Sequence, residues 1–202
     1  MFSGIVDQVG EVARIEASAA GRRMLISAPG YWKDVGEGSS VAIDGVCLTI
    51  VRCDERDSEF DVVPETLRRS TLGALLAGSR VNLQKSLAAG ERIDGHFVQG
   101  HVDAIGRIER VDRGSDAMWH FTVENEAMAY IVPKGSVAID GISLTVASIS
   151  PNGFSVALIP TTLSRTTLGG KKPGDQVNIE TDILVRALVH RLESFHGVSS
   201  TQ

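Results

Sequence analysis

Residues 40–51, SVAIDGVCLTIV, place β-branched and apolar residues on both sides of Asp44-Gly45. That dipeptide supplies the positive-φ residues of a two-residue hairpin turn. Side chains alternate across a strand, so Cys47 and Thr49 face one way and Leu48 and Ile50 the other. EFDVVP (59–64), SRVNLQ (79–84), FVQGHVDAIGRIERV (97–111) and WHFTVE (119–124) are further short strand-like runs separated by turn residues. Helical periodicity is scarce before residue 180. The pattern predicts an all-β body, and short strands at this density predict small closed barrels, which leave no exposed sheet edge.

The chain writes its pattern twice. SVAIDGVCLT (40–49) returns as SVAIDGISLT (136–145), an offset of 96 residues. The same offset carries GIVDQVG (4–10) onto GHVDAIG (100–106), PETLRRSTLG (64–73) onto PTTLSRTTLG (160–169) and GSRVNL (78–83) onto GDQVNI (174–179). Four ordered matches at one spacing imply two tandem domains, 1–95 and 96–182, each of a size that folds independently. The remainder, 183–202, differs in kind. After Asp182, a suitable N-cap, Leu184, Leu188, Leu192 and Phe195 form one helical stripe, with Val185 and Val189 widening it and Gly197 as a stop. This helix either lies on its own barrel or packs against copies of itself, and the closed barrels favour the second.

Composition narrows the classes. A net charge of −5 argues against nucleic acid or an anionic membrane as partner. Cys47 and Cys53, the two cysteines, lie about 20 Å apart if they share one strand, too far for a disulfide. Free thiols, the lack of a signal-peptide pattern at the N-terminus and the lack of a run of ~20 apolar residues predict a cytoplasmic protein.

The candidate chemistry lies where the copies differ. Ser143 and Thr145 share a face opposite Leu144 and Val146, as Cys47 and Thr49 do in the first copy, so thiol and hydroxyl occupy one duplicated position. His96, His101 and Asp103 could suggest a metal, but five residues separate the histidines and no further His or Cys completes a tetrahedral set, so none is expected. His101 stands where the first copy has Ile5, adding a group that titrates near neutrality. Glu65 becomes Thr161, and Gly38 becomes Lys134. Phosphate-loop, dinucleotide and nucleophile-elbow motifs are absent from the sequence.

MFSGIV (1–6), GVCLTI (45–50), ETLRRSTLG (65–73), GHFVQGHVD (95–103), KGSVAIDGISLTV (134–146) and KKPGDQVNIE (171–180) together resemble the riboflavin synthase family, alpha-chain type, across essentially residues 1–195. Ser3, where the family motif has Thr, keeps the hydroxyl. The resemblance implies two six-stranded Greek-key barrels with a C-terminal helix, a homotrimer with sites between subunits, and no cofactor. It implies dismutation of two 6,7-dimethyl-8-ribityllumazine molecules to riboflavin and 5-amino-6-(D-ribitylamino)uracil, and association with lumazine synthase. The duplication then has a reason: two identical substrates need two similar sites.

The resemblance also implies roles. His101 with Thr145 would move the proton of the C7 methyl, Ser143 would assist addition or relay a proton, and Cys47 would touch the acceptor molecule. Asp182, and Asp140 with Lys134, would shape the reactive centre. Glu65, Thr66 and Thr162 would hold ribityl hydroxyls, with the contact at Thr161 altered. Gly4, Ile5, Val6, Ser40, Leu48, Thr49, Gly100, Val102, Leu144, Ile159 and Pro160 would line the ring sites, with Phe2 packed close by. The rival class is a lumazine-binding antenna protein that keeps the first site and loses the reactive residues of the second. Ser143, His101 and Asp182 are all present here.

Overall fold

The structure, a computed structural model, describes residues 1–112 and 117–198. The first half contains β1 (Gln8–Ser18), β2 (Gly21–Ser27), β3 (Ser40–Ile43), β4 (Val46–Cys53), β5 (Asp57–Val62), α1 (Pro64–Arg69) and β6 (Arg80–Lys85). The second contains β7 (Ala104–Asp112), β8 (Met118–Thr122), α2 (Asn125–Met128), β9 (Ser136–Ile139), β10 (Ile142–Ser150), β11 (Gly153–Ala157), α3 (Pro160–Arg165) and β12 (Gln176–Thr181). A terminal helix, α4 (Ile183–Val198), follows. Each half is an antiparallel closed barrel, ordered β1-β2-β5-β4-β3-β6 in the first and equivalently in the second. The expected pair of six-stranded barrels with a C-terminal helix is what forms.

Local chemistry explains the closure. Asp44 and Gly45 take φ of 44° and 77°, and Asp140 and Gly141 take 46° and 77°, the paired positive values of a type I′ turn. Register breaks between Val12 and Arg14, Ile50 and Arg52, Ile108 and Arg110, and Val146 and Ser148 bend the long strands at equivalent places. Each interior is filled by its own apolar cluster: Met24, Ile26, Phe60 and Leu83 in one, Phe121, Ile139, Phe154 and Ile179 in the other.

The barrels meet around a pseudo-two-fold axis. Gly45 and Gly141 touch so closely that a Cβ on Gly45 would lie 2.5 Å from the Gly141 nitrogen. Asn82 Nδ2 donates to the Asp140 carbonyl at 2.9 Å, and Asn178 Nδ2 to the Asp44 carbonyl at 2.8 Å. Their amide oxygens accept from Thr167 N and Thr71 N in the opposite halves, at 2.8 and 2.7 Å. Both asparagines are buried, so each amide must find its partners inside the protein.

Asp140 belongs to this interface, which corrects its expected place among the substrate-contacting residues. It is fully buried, and its Oδ1 accepts from Asn178 N at 2.7 Å. Its ion-pair partner is Lys171 at 3.2 Å, not Lys134. The expected strand over 97–111 begins only at Ala104, because Gly100 (φ 81°) turns the preceding segment toward the other barrel. Helices α1 and α3, too short for periodicity to reveal, each start with Pro at the first helical position.

On α4, Val185 and Val189 are half-buried, whereas Leu184, Leu188 and Leu192 are 60%, 61% and 49% exposed. The stripe therefore faces outward in the single chain. Gly197, expected as the stop, falls within the last turn, while the side chain of Phe195 and residues 199–202 lie outside the described part.

Replacing Asn178 by Ala leaves two buried groups, the Asp44 carbonyl and Thr71 N, without their partner. At about 1–3 kcal/mol for each stranded group, denaturant unfolding should show a loss of roughly 2–5 kcal/mol. A loss below about 0.5 kcal/mol would mean that the interface does not carry the fold.

Candidate functional site

Each half sends its opening segment across to the other barrel. The N-terminal segment reaches β10, where the Gly4 carbonyl accepts from Ser143 N at 2.7 Å. Its pseudo-equivalent reaches β4, where the Gly100 carbonyl accepts from Cys47 N at 2.9 Å. Glycine is required at both crossings: φ is 77° and 81°, and a Cβ would fall 2.6 Å from Ser143 Cβ or 2.5 Å from Cys47 Cβ. Phe2 and Val98, themselves equivalent, pair on the axis between the small residues Ala42 and Ala138, and Cys47 packs against that cluster.

Two matching surfaces result. On the first barrel, Cys47 (half-buried) and Thr49 (exposed) are bordered by Gly100, His101 and Val102, and Val102 packs on that barrel's core. On the second, Ser143 (half-buried) and Thr145 (exposed) are bordered by Gly4, Ile5 and Val6, and Val6 packs on the second core. Continuing the strand registers sets Cys47 opposite Val63 and Ser143 opposite Ile159, the residues that lead into α1 and α3. Glu65 and Thr66 thus stand at one surface, and Pro160, Thr161 and Thr162 at the other. Glu65 is exposed and ion-paired to Arg68 and Arg69, the latter at 2.9 Å. Ile5 and Ile159, 47% and 62% exposed, give the second surface an apolar rim against which a flat ring can lie. The predicted strand parity holds in both copies: Leu48 and Val146 point inward, with Leu144 half-buried against the second core. Ser40, paired with Thr49, is half-buried at the first surface.

Within one chain the structure separates residues that were expected together. His101 is exposed on the Cys47 side, whereas Ser143 and Thr145 belong to the other barrel. The histidine that meets Ser143 is His96, whose Nδ1 lies 2.6 Å from Ser143 Oγ. His96 is buried, and burial lowers its pKa, partly opposed by the charge of Asp182. Asp182 caps α4, accepting from Leu184 N at 2.9 Å. The sequence carried a sign of this in Gly95-His96, since a Cβ on Gly95 would meet Ser3 O at 2.1 Å and Ser143 Oγ at 2.8 Å.

The crossing segments are anchored by unlike residues at one duplicated position. Gln84 Oε1 accepts from Gly4 N at 3.0 Å, and its Nε2 donates to Ser3 Oγ at 2.8 Å. Its counterpart Glu180 accepts from three successive amides, Gln99, Gly100 and His101, at 2.6, 2.9 and 3.0 Å. Burial, outweighing those three bonds, lifts the Glu180 carboxyl to about 7. Sequence reading passed over Glu180 because a carboxylate next to β12's end looks like ordinary surface. Asp103, one of the three residues of the discarded metal set, is bound instead to Thr181 and Arg186. Among the described residues, no group of three or more His, Cys, Asp or Glu side chains is arranged to hold a metal.

Both halves match the lumazine binding domain family, over residues 3–85 and 99–182. The fold and its paired surfaces thus define a duplicated lumazine-binding barrel protein. The riboflavin synthase of Chlamydia pneumoniae is 44% identical over 190 residues, covering 94% of this chain and 94% of that one. That of Mycobacterium bovis is 45% identical over 202 residues, covering 96% and 99%. A crystal structure of LumP complexed with riboflavin has a TM-score of 0.81 at 25% identity, covering 90% of this chain and 99% of that one. The chain belongs to the riboflavin synthase family.

Two predictions follow from unlike residues at like positions. Lys134 holds φ 66° and donates its N–H to the Val146 carbonyl, as Gly38 (φ 83°) does to Ile50. A left-handed lysine costs about 1–2 kcal/mol, so Lys134→Gly should raise thermal stability; an unchanged or lowered melting temperature would contradict strain at this position. Glu180 has a folded pKa above its unfolded one, so its favourable contribution is complete below about 4.5 and is lost as pH rises through about 7. Wild type should therefore lose about 3 kcal/mol relative to Glu180→Gln across that window; parallel stability–pH curves would contradict the assignment.

Proposed function

We propose that the chain catalyses dismutation of two 6,7-dimethyl-8-ribityllumazine molecules, as a four-carbon transferase that yields riboflavin and 5-amino-6-(D-ribitylamino)uracil. The observation that carries this reading is the pair of equivalent surfaces with unlike chemistry, thiol at Cys47 and hydroxyl at Ser143. Identical molecules need similar frames, and unlike fates need unlike side chains. The full-length similarity to riboflavin synthases supports the same reading over the antenna alternative. Ser143, His101 and Asp182 are all retained.

The C7 methyl of the lumazine is acidic because its anion delocalises into the ring. One bound molecule loses that proton and becomes a carbon nucleophile; the other is attacked at C7. Stacking the two rings replaces a bimolecular encounter, worth roughly 7–11 kcal/mol at the upper limit. Acid–base groups then add about 10²–10⁴-fold each. Gly4, Ile5, Val6, Ser143, Thr145 and Ile159 frame one ring, and Cys47, Thr49, His101 and Val102 the other, with Glu65, Thr66, Thr161 and Thr162 toward the ribityl chains. Lys134 stands beside the second ring surface.

The two surfaces belong to different barrels, so a ring pair forms when one subunit's first barrel faces another's second barrel. The outward leucine stripe of α4 supports self-association through that helix; the riboflavin synthase reading makes the assembly a homotrimer that works in the cytoplasm and associates with lumazine synthase. Ending the chain at Asp182 should reduce the mass in solution to that of a monomer; an unchanged mass would contradict assembly through α4.

Turnover is the direct test. Purified, chelator-treated protein incubated with the lumazine should release one riboflavin for every two lumazines consumed, without an added cofactor. Tight binding with no riboflavin would make this an antenna protein.

A further inference from the structure

Ser143 is held from two sides by segments that meet only in the second half. Its amide is fixed by Gly4, and its hydroxyl lies 2.6 Å from His96 Nδ1. His96 is itself fixed: its backbone N–H donates to Ser3 O at 3.1 Å, and the residue is 8% exposed. Gly95 permits this approach, since any side chain there would strike Ser3 and Ser143. In the first half Cys47 occupies the position that matches Ser143. Among the described residues, Cys47 has no imidazole against its sulfur.

Resting on the lumazine dismutation proposed above, we infer that His96 is the proton-accepting partner of Ser143. The pair makes the second barrel the one in which the bound lumazine loses its methyl proton. A neutral imidazole carries one N–H and one lone pair. With the lone pair on Nδ1, the Ser143 hydroxyl donates to His96 and turns its own lone pairs toward the substrate. In the transfer, a methyl C–H bond breaks and its electron pair enters the lumazine ring. Ser143 Oγ takes that proton while its original proton passes to Nδ1, and the pair is reset when the imidazolium gives its proton back through Ser143 to a ring nitrogen of the molecule that later releases its four-carbon unit. No oxidant or metal enters the balance.

The surroundings suit this role. Burial disfavours the charged ring, so His96 begins neutral and able to accept. The charged group facing it is Asp182 at the head of α4, which favours the imidazolium once formed. From β10 comes a neutral group, the Ser143 hydroxyl, while the Ser3 carbonyl holds the His96 backbone. Nε2 is buried without a protein partner, so Ser143 is the ring's one hydrogen-bond contact among the described residues. His96 acts through Ser143 and is a positioning residue in that sense; Ser143 meets the substrate.

The test compares wild type, His96→Asn, Ser143→Ala and the double variant. Asn can keep a hydrogen-bonding atom near the Nδ1 position but cannot hold the proton. Expected for His96→Asn are a fall in kcat of about 100-fold or more, little change in KM or riboflavin affinity, and loss of the acid limb of the kcat–pH profile. Deuterium wash-in at the C7 methyl, followed by NMR, should slow in parallel. The double variant should be no slower than the worse single one. Full rate with the acid limb intact in His96→Asn, or losses that multiply in the double variant, would overturn the relay. If His96→Asn folds poorly, Ser143→Ala reads the same link: slow wash-in and a moved His96 titration in ¹⁵N-NMR support it, and neither change overturns it. Wild type that makes no riboflavin but deuterates the methyl in a His96-dependent way would defeat the dismutation reading and leave the relay standing.

Discussion

Two Asp-Gly turns press against each other at the centre of this molecule, with no room between Gly45 and Gly141 for a single methyl group. Around them, Asn82 and Asn178 each satisfy a backbone carbonyl and a backbone amide of the opposite half. In a buried interface every one of those groups must be paired, so the two barrels can meet in one register only. That register carries the opening segments across the axis and sets Gly4 on Ser143 and Gly100 on Cys47. The functional surfaces are thus a consequence of the way the halves dock, and neither barrel completes its surface alone.

On this symmetric frame the chemistry is asymmetric. Where one half holds its crossing segment with the neutral Gln84, the other uses the ionisable Glu180. Gly38 has its counterpart in a strained Lys134, Ile5 in His101, and Cys47 in a Ser143 backed by His96. Even the interface is uneven: Lys171 pairs with Asp140 at 3.2 Å, whereas Asp44, whose acidity burial and the Asp140 charge both weaken, has no lysine of its own at Leu75. These differences fall on groups that bind or move protons, while the two halves keep the same strand order. A protein that must treat two copies of one molecule differently is under that pressure.

Strand parity at 47–50 and 143–146, the hairpin turns, the repeat and the outward stripe on α4 were legible in the sequence because each depends on local periodicity. The six-residue helices at 64–69 and 160–165 were not, since fewer than two turns show no period. Residues 97–103 looked like strand because nothing local says that Gly100 redirects the chain to the other barrel. Asp140 looked like a substrate contact, and only the docked interface shows that it is buried. The five-residue spacing of His96 and His101 speaks only against a metal; the place of His96 at Ser143 depends on a contact across 47 residues.

The central claim is that segment exchange builds two equivalent ring surfaces with different chemistry. A crystal structure of the assembled protein with riboflavin bound tests it most directly. The account predicts one ring over Cys47 and Thr49, edged by Gly100–Val102, and another over Ser143 and Thr145, edged by Gly4–Val6. Riboflavin bound away from both crossings, or to a surface that one barrel completes alone, would contradict it.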